Sequence, residues 1–112
     1  MLAQPLDRMF FALADPQRLA MVEQLSAGPA TVKALAAPSG MRLPSAVKHL
    51  KVLEDGGIVA SRKIGRARTF SIRTDALHLI GDWARDRETA WNKAFDRLAA
   101  AMLELRQEED GE

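Results

Sequence analysis

A long stretch near the carboxyl terminus contains no residue that would interrupt a helix apart from Gly81. It extends from Ala76 to Gln107, and a helix of about thirty residues would be roughly 45 Å long. Globular helices average about 11–12 residues, so this one would exceed what a single small domain can cover. Its apolar residues recur at a period close to 3.5, which is typical of a helix that pairs with another helix. They are Leu77, Ile80, Ala84, Trp91, Ala94, Leu98, Met102 and Leu105, with Trp83 and Phe95 adjacent.

The first predicted helix, at about residues 4–14, is too apolar for a helix at the edge of a monomer. Its apolar residues repeat at spacings of three and four, with Phe11 beside them. We therefore predict a homodimer built from the first and last helices. The alternative is that both helices pack only on the chain's own core. The predicted interface residues are Leu6, Met9, Phe10, Leu13, Leu77, Ile80, Trp83, Ala84, Trp91, Phe95 and Leu98.

Three more helices are predicted between residues 15 and 55. Asp15-Pro16 is typical of an N-cap followed by proline at the first helical position, and Gly28-Pro29 ends that second helix. Thr31 is a plausible cap for a short third helix, which a turn at 38–40 separates from a fourth helix at about 43–55. The residues predicted to face the core are Leu19, Val22 and Leu25 in the second helix and Leu43, Ala46, Leu50 and Leu53 in the fourth.

The outward side of the fourth helix carries residues that can contact DNA. Lys48 can reach guanine acceptors or phosphate, Ser45 can hydrogen-bond a base edge, and Val47 can touch a thymine methyl group. Two short helices joined by a turn, the second of them basic, form a helix-turn-helix pattern. The alternative is an ordinary solvated face, and His49 is predicted to be packed or hydrogen-bonded. The predicted recognition residues are Arg42, Pro44, Ser45, Val47, Lys48 and Lys51.

The apolar period changes from 3.6 to 2 after Gly57. The segments IVASRKI and ARTFSI, separated by GR, predict a β-hairpin that turns at Gly65, with Ile58, Phe70 and Ile72 toward the core. A basic hairpin after a recognition helix is the wing of a winged helix, which contacts the phosphate backbone or the minor groove. The predicted DNA contacts are Arg62, Lys63, Arg66 and Arg68 in the hairpin and Thr31 and Lys33 at the start of the third helix.

Charge supports a polyanion partner. The whole chain has a net charge of +1, but residues 42–73 carry eight cationic side chains against Glu54 and Asp55, a net +6. A locally basic segment in a balanced protein indicates a surface that binds a polyanion. Uneven surface charge with no partner is the alternative, and a winged-helix module that binds an acidic protein is a further one.

The composition argues against several functional classes of protein. The chain has no cysteine and only two histidines, so thiolate metal sites, disulfides and cysteine nucleophiles are excluded. No glycine-rich phosphate loop or catalytic triad is visible, so we expect neither an enzyme nor a cofactor. No apolar run approaches the roughly 18 residues of a membrane helix, and no signal peptide is visible, so we expect a cytoplasmic protein without a membrane partner.

The segments FFALADPQRLAMVEQLSAGPATVKALA and GMRLPSAVKHLKVLEDGGIV, followed by the GRAR-containing hairpin, resemble the ArsR family of winged-helix transcriptional repressors. The resemblance extends from about Leu6 to Ile72. It implies a homodimeric repressor of a palindromic operator, usually in its own promoter, with the fourth helix as recognition helix and the first and last helices as dimer interface. The expected fold is mainly α with one β-hairpin: four helices, the hairpin and a fifth helix in one domain at 1–107, then a disordered acidic tail at 108–112.

The chain departs from the family pattern at several positions. It lacks the cysteine pair that metal-sensing members carry in the recognition helix, and its last helix has His78 with no second histidine beside Asp75, Asp82 and Asp86. The resemblance therefore implies a metal-independent branch. A ligand- or metal-responsive repressor, with its effector between the first and last helices or near His78, stays an alternative, and the effector is unknown. Arg42 and Val47 stand where many relatives have serine. A serine at 42 would cap the fourth helix and a serine at 47 would face DNA, so the resemblance leaves the base preference of this chain open.

Overall fold

The computed structural model describes residues 5–111, which form five α-helices and three β-strands. The chain divides into two units, the first ending at Leu79 and the second beginning at Ile80. A 3₁₀ turn at Ala37–Ser39 connects the third and fourth helices. The elements are α1 (Leu6–Leu13), α2 (Pro16–Leu25), β1 (Ala30–Thr31), α3 (Val32–Ala36), α4 (Leu43–Asp55), β2 (Val59–Ile64), β3 (Ala67–Ile72) and α5 (Thr74–Asp110).

The junction between α1 and α2 is held by hydrogen bonds to helix ends. The Asp15 carboxylate accepts from the backbone N–H groups of Gln17 at 2.8 Å and Arg18 at 3.1 Å, which confirms the predicted N-cap. The hydrogen bond from the Arg18 backbone lowers the pKa of Asp15 below its ordinary value of 3.8. The Arg18 guanidinium donates to the carbonyls of Ala12 at 2.6 Å and Phe11 at 3.2 Å, which satisfies carbonyl groups at the end of α1.

The core of the first unit is built around α4. Ala46, Leu50 and Leu53 are fully buried, as their spacing on one helix face predicts. Two predicted core residues are instead exposed. Leu43 is 50% exposed because it is the first residue of α4, at the end of the helix. Leu19 is 44% exposed, since α2 buries Met21 and Leu25, and Leu19 lies about 200° around the helix from Met21.

A close approach between α1 and the end of α4 depends on Gly56. A Cβ atom at that position would lie 2.6 Å from the Ala12 Cβ and 3.1 Å from the Arg8 carbonyl oxygen. Ala12 is itself completely buried. Only a residue without a side chain fits between these two helices, so the packing of the first unit is tight here.

The predicted hairpin is confirmed. β2 and β3 are antiparallel, with Val59 opposite Ile72 and Ile64 opposite Ala67, and the chain reverses at Gly65, whose φ of 63° suits glycine. Of the three predicted anchors, Ile58 and Phe70 are buried and Ile72 is half-buried. The sheet also contains β1, which pairs with β3 and gives the strand order β1-β3-β2. Sequence periodicity did not indicate β1, because two residues are too few to show alternation.

Helix α5 is continuous over 37 residues. It extends to Asp110, so residues 108–110, predicted to belong to a disordered tail, are helical. Glutamate favours helices and no breaker occurs before Gly111, which accounts for the longer helix. Glu112 lies outside the described residues. Every residue from Asp82 to Gly111 is exposed. Among residues 5–111, no helix is both long and apolar enough to span a membrane.

Candidate nucleic-acid interface

The outward side of α4 is a continuous solvent-exposed surface. Ser45, Val47 and Lys48 are exposed, while Ala46 and Leu50, on the opposite side, are buried. The Lys48 side chain makes no hydrogen bond or ion pair within the described chain, so its ammonium group is available to a ligand. The Lys51 ammonium lies 3.4 Å from the Asp55 carboxylate, an exposed pair that contributes little stability and can be exchanged for a phosphate. Pro44 and Arg42 are exposed at the amino end of the same surface.

The amino-terminal end of α4 has no side-chain cap. Arg42 occupies the N-cap position with φ −67° and ψ 145°, and its side chain accepts no backbone hydrogen bond. Pro44 has no N–H group, so Leu43 and Ser45 supply the backbone donors of the first turn. The partial positive charge of a helix amino terminus favours an anion at this end. The serine cap that the family pattern would supply is thus absent.

The cationic side chains of the hairpin are exposed but do not share one face. Side chains alternate along a strand, so Lys63 and Arg68, which are paired across the ladder, lie on the face that also carries Val59 and Phe70. Arg62 lies on the other face, and Arg66 lies in the turn. The side chains of Arg62, Lys63 and Arg66 make no hydrogen bond or ion pair within residues 5–111. Arg68 does: its Nη1 donates to the Ser61 Oγ at 2.9 Å.

The Ser61 hydroxyl in turn donates to the Glu54 carboxylate at 2.7 Å. Glu54 is the penultimate residue of α4, so a chain of two hydrogen bonds connects this helix to both strands of the hairpin. The sequence pattern alone does not indicate Ser61 or Glu54 as site residues. Serine in a strand and glutamate near a helix end give no signal without the register that brings them together.

The residues at the start of α3 have different surroundings. The Thr31 Oγ1 accepts from the Ala34 N–H at 3.2 Å, so Thr31 is the N-cap of α3, as predicted. It is half-buried, whereas Lys33 is exposed. His49 is half-buried, with its Nδ1 3.4 Å from the Arg18 Nη1, which agrees with the predicted structural role.

The predicted dimer residues divide into exposed and buried groups. Met9 is 2% exposed and belongs to the core of its own chain, so its assignment to the interface is wrong. It lies on the side of α1 that also buries Ala12, three residues farther along. Leu6, Leu13 and Ile80 are half-buried. The exposed ones are Phe10, Leu77, Trp83, Ala84, Trp91, Phe95 and Leu98.

Two of the three aspartates that accompany His78 in the sequence of α5 pair with arginines. Asp75 pairs with Arg73 at 2.8 Å, and this hydrogen bond lowers the pKa of Asp75 below 3.8. Asp82 pairs with Arg85 at 2.6 Å. Within the described part of the chain, no group of three or more histidine, aspartate or glutamate side chains could hold a metal ion.

A short helix, a turn, an exposed second helix and a basic two-stranded hairpin define a winged helix-turn-helix protein. A family model described as a helix-turn-helix domain matches residues 13–62. The transcriptional regulator Rv2034 of Mycobacterium tuberculosis is 34% identical over 93 residues, which cover 83% of this chain and 84% of that protein.

Solved structures of similar proteins have the same fold. The ArsR family transcriptional regulator RHA00566 is 42% identical, with a TM-score of 0.73 over 78% of this chain and 96% of the other. The homodimeric winged helix-turn-helix DNA-binding domain of Mb0332 from Mycobacterium bovis is 30% identical, with a TM-score of 0.63 over 75% of this chain and 81% of that one. The chain belongs to the ArsR family and is a DNA-binding transcriptional regulator.

Proposed function

We propose that the protein is a homodimeric repressor that binds a palindromic operator in its own promoter and acts in the cytoplasm. The observation that carries the proposal is the exposed α4 face, whose Lys48 has no partner in the described chain, beside a hairpin with three unpaired cations. It is a binding function that requires neither a catalytic step nor a cofactor.

In this proposal α4 enters the major groove with its amino-terminal half toward the bases. Ser45 and Lys48 are three residues apart and therefore neighbours on one side of the helix. Lys48 reaches guanine or phosphate, and Val47, 50% exposed, contacts a thymine methyl group. The free backbone donors at the start of α4, together with Arg42 and Pro44, lie along the adjacent phosphates. Lys51 exchanges Asp55 for a phosphate.

The hairpin supplies contacts that depend little on sequence. Arg62, Lys63 and Arg66 approach the phosphate backbone from the tip and both faces of the hairpin. Lys33 and the Thr31 hydroxyl contribute at the start of α3. Such contacts position the protein on the duplex and make its affinity depend on salt, whereas base contacts from α4 determine the sequence.

Dimerisation is proposed from the exposed apolar residues of α1 and α5. Trp91 is 69% exposed, Phe95 and Leu98 are 57%, and Phe10 is 37%. Within α5, Trp91, Phe95 and Leu98 follow one another at spacings of four and three residues and so share one face of the helix. An exposed apolar patch of this kind marks an interaction site. The homodimeric state of the Mycobacterium bovis domain supports a second copy of this chain as the partner. A two-fold dimer presents two α4 helices, so the operator should contain two inverted half-sites about one helical turn apart, roughly 34–36 Å.

A binding assay with the promoter of the protein's own gene tests the proposal. The purified protein should shift this fragment at low salt and be displaced less readily by a duplex of shuffled sequence than by the unlabelled fragment. No shift at low salt would contradict a DNA-binding role. Equal displacement by both competitors would contradict an operator in this promoter.

A further inference from the structure

Three side chains from three elements meet beside the carboxyl-terminal end of α4. Ser61 of β2 uses its only proton toward Glu54 of α4, at 2.7 Å, and its oxygen accepts from Arg68 of β3, at 2.9 Å. The Ser61 hydroxyl is therefore occupied as donor and as acceptor. The two outer residues, Glu54 and Arg68, carry formal charges, and hydrogen bonds to charged groups are stronger than those between neutral groups.

The register of the hairpin accounts for this geometry. Ser61 lies opposite Phe70, and Arg68 lies opposite Lys63, so Arg68 and Ser61 are diagonal neighbours on one face of the ladder. Diagonal positions are about 7–8 Å apart, a distance that a long arginine side chain can cross. Arg68 thus extends back along the sheet toward α4, whereas Lys63, on the same face, has no such partner in the described residues.

We propose that Glu54, Ser61 and Arg68 fix the hairpin against α4, and that Arg68 is a positioning residue for DNA binding rather than a phosphate contact. The inference rests on the proposed function, in which α4 and the hairpin contact one duplex. The negative charge of Glu54 partly offsets that of Arg68, which makes Arg68 a weaker phosphate ligand than Arg62, Lys63 and Arg66. Glu54 and Arg68 are exposed and Ser61 is half-buried, so these two hydrogen bonds contribute little to folding stability.

The orientation of the hairpin relative to α4 determines whether base and phosphate contacts form together. A hairpin that must be ordered when DNA binds reduces the affinity, because the lost conformational freedom opposes association. Prior attachment through Ser61 removes part of that cost. Loss of the attachment should therefore weaken binding without changing the number of phosphates contacted.

The test compares Ser61→Ala with Ser71→Ala, a matched control in β3 whose side chain makes no hydrogen bond within the described chain. The probe is a duplex selected from random sequence by the wild-type protein, titrated at several salt concentrations. Ser61→Ala should bind about three- to tenfold more weakly, with the wild-type salt slope and melting temperature. Ser61→Thr retains the hydroxyl and should bind as the wild type does, and so should Ser71→Ala.

Arginine variants complete the test. Arg68→Ala leaves the Ser61–Glu54 hydrogen bond in place, so it should weaken binding no more than Ser61→Ala does and should keep the wild-type slope. Arg66→Ala should instead lower the slope by about 0.9. A slope lowered by about 0.9 in Arg68→Ala, or wild-type affinity in Ser61→Ala, would overturn the inference while leaving the proposed function intact. Failure of the wild-type protein to select or bind any duplex would instead reject the proposed function itself.

Discussion

Helix α4 and the part of α5 from Ile80 onward differ in the burial of their apolar side chains. α4 buries Ala46, Leu50 and Leu53 completely and exposes a mainly polar side. In α5 every residue from Asp82 to Asp110 is exposed, including Trp91 at 69% and Leu105 at 61%. The amphipathic pattern of α4 is satisfied within one chain, so its outer side is available to DNA. The pattern of α5 is not satisfied within one chain, and it therefore indicates a second copy.

The largest expected effect comes from removing the large apolar side chains of α5. We expect Trp91→Ala combined with Leu98→Ala to weaken self-association by about 2–4 kcal/mol, because buried aromatic residues dominate interface energy. Light scattering over a dilution series measures the change. Lys93→Ala, another truncation in the exposed part of α5, serves as control and should leave the dimer intact. A monomeric wild-type protein at micromolar concentration would contradict the assignment of the exposed apolar residues of α5 to a dimer interface.

Glycine substitutions compare the packing of the two units. Gly56→Ala would place a Cβ 2.6 Å from the Ala12 Cβ, and overpacking of this kind costs about 1–3 kcal/mol of unfolding free energy. Gly81→Ala would meet only the flexible guanidinium of Arg85, at 3.2 Å. Alanine in a helix interior is about 0.5–1 kcal/mol more favourable than glycine, so this variant should be stabilised. Denaturant unfolding measures the unfolding free energy of both variants. Equal changes in the two variants would contradict the difference in packing between Gly56 and Gly81.

Substitution of Lys48 tests whether α4 contacts base edges. Lys48→Ala should weaken binding to the selected duplex by about 1–3 kcal/mol if the ammonium contacts a base edge. Binding to a shuffled duplex should then change little. A uniform loss on both duplexes, with the salt slope lower by about 0.9, would identify Lys48 as a phosphate contact. Titrations at several salt concentrations distinguish the two results.

A smaller effect should follow from pH. The pKa of Asp15 is lower in the folded protein than its ordinary value of 3.8, so its ionised form stabilises the fold above that pH. This contribution is lost as the pH falls through the folded-state pKa. Asp15→Asn should therefore flatten the decline in melting temperature below about pH 4. Identical acid profiles for wild type and Asp15→Asn would contradict a role of this carboxylate.

Secondary-structure elements were predicted from the sequence more reliably than the contacts between those elements. The bounds of α4 and the turn at Gly65 were predicted correctly, because periodicity and glycine punctuation act over a few neighbouring residues. The exposure of Leu43 and the burial of Met9 depend on which other elements cover each helix. Likewise, the Glu54–Ser61–Arg68 chain requires the strand register and a diagonal distance, which sequence spacing does not contain.

Selection of bound sequences from a random DNA library tests directly whether two exposed α4 surfaces act together in a dimer. The enriched sequences should contain two inverted half-sites with centres about one helical turn apart. Trp91→Ala with Leu98→Ala should reduce the enrichment. A single asymmetric site, or no enrichment at low salt, would contradict the assignment of α4 to DNA and α5 to the second chain.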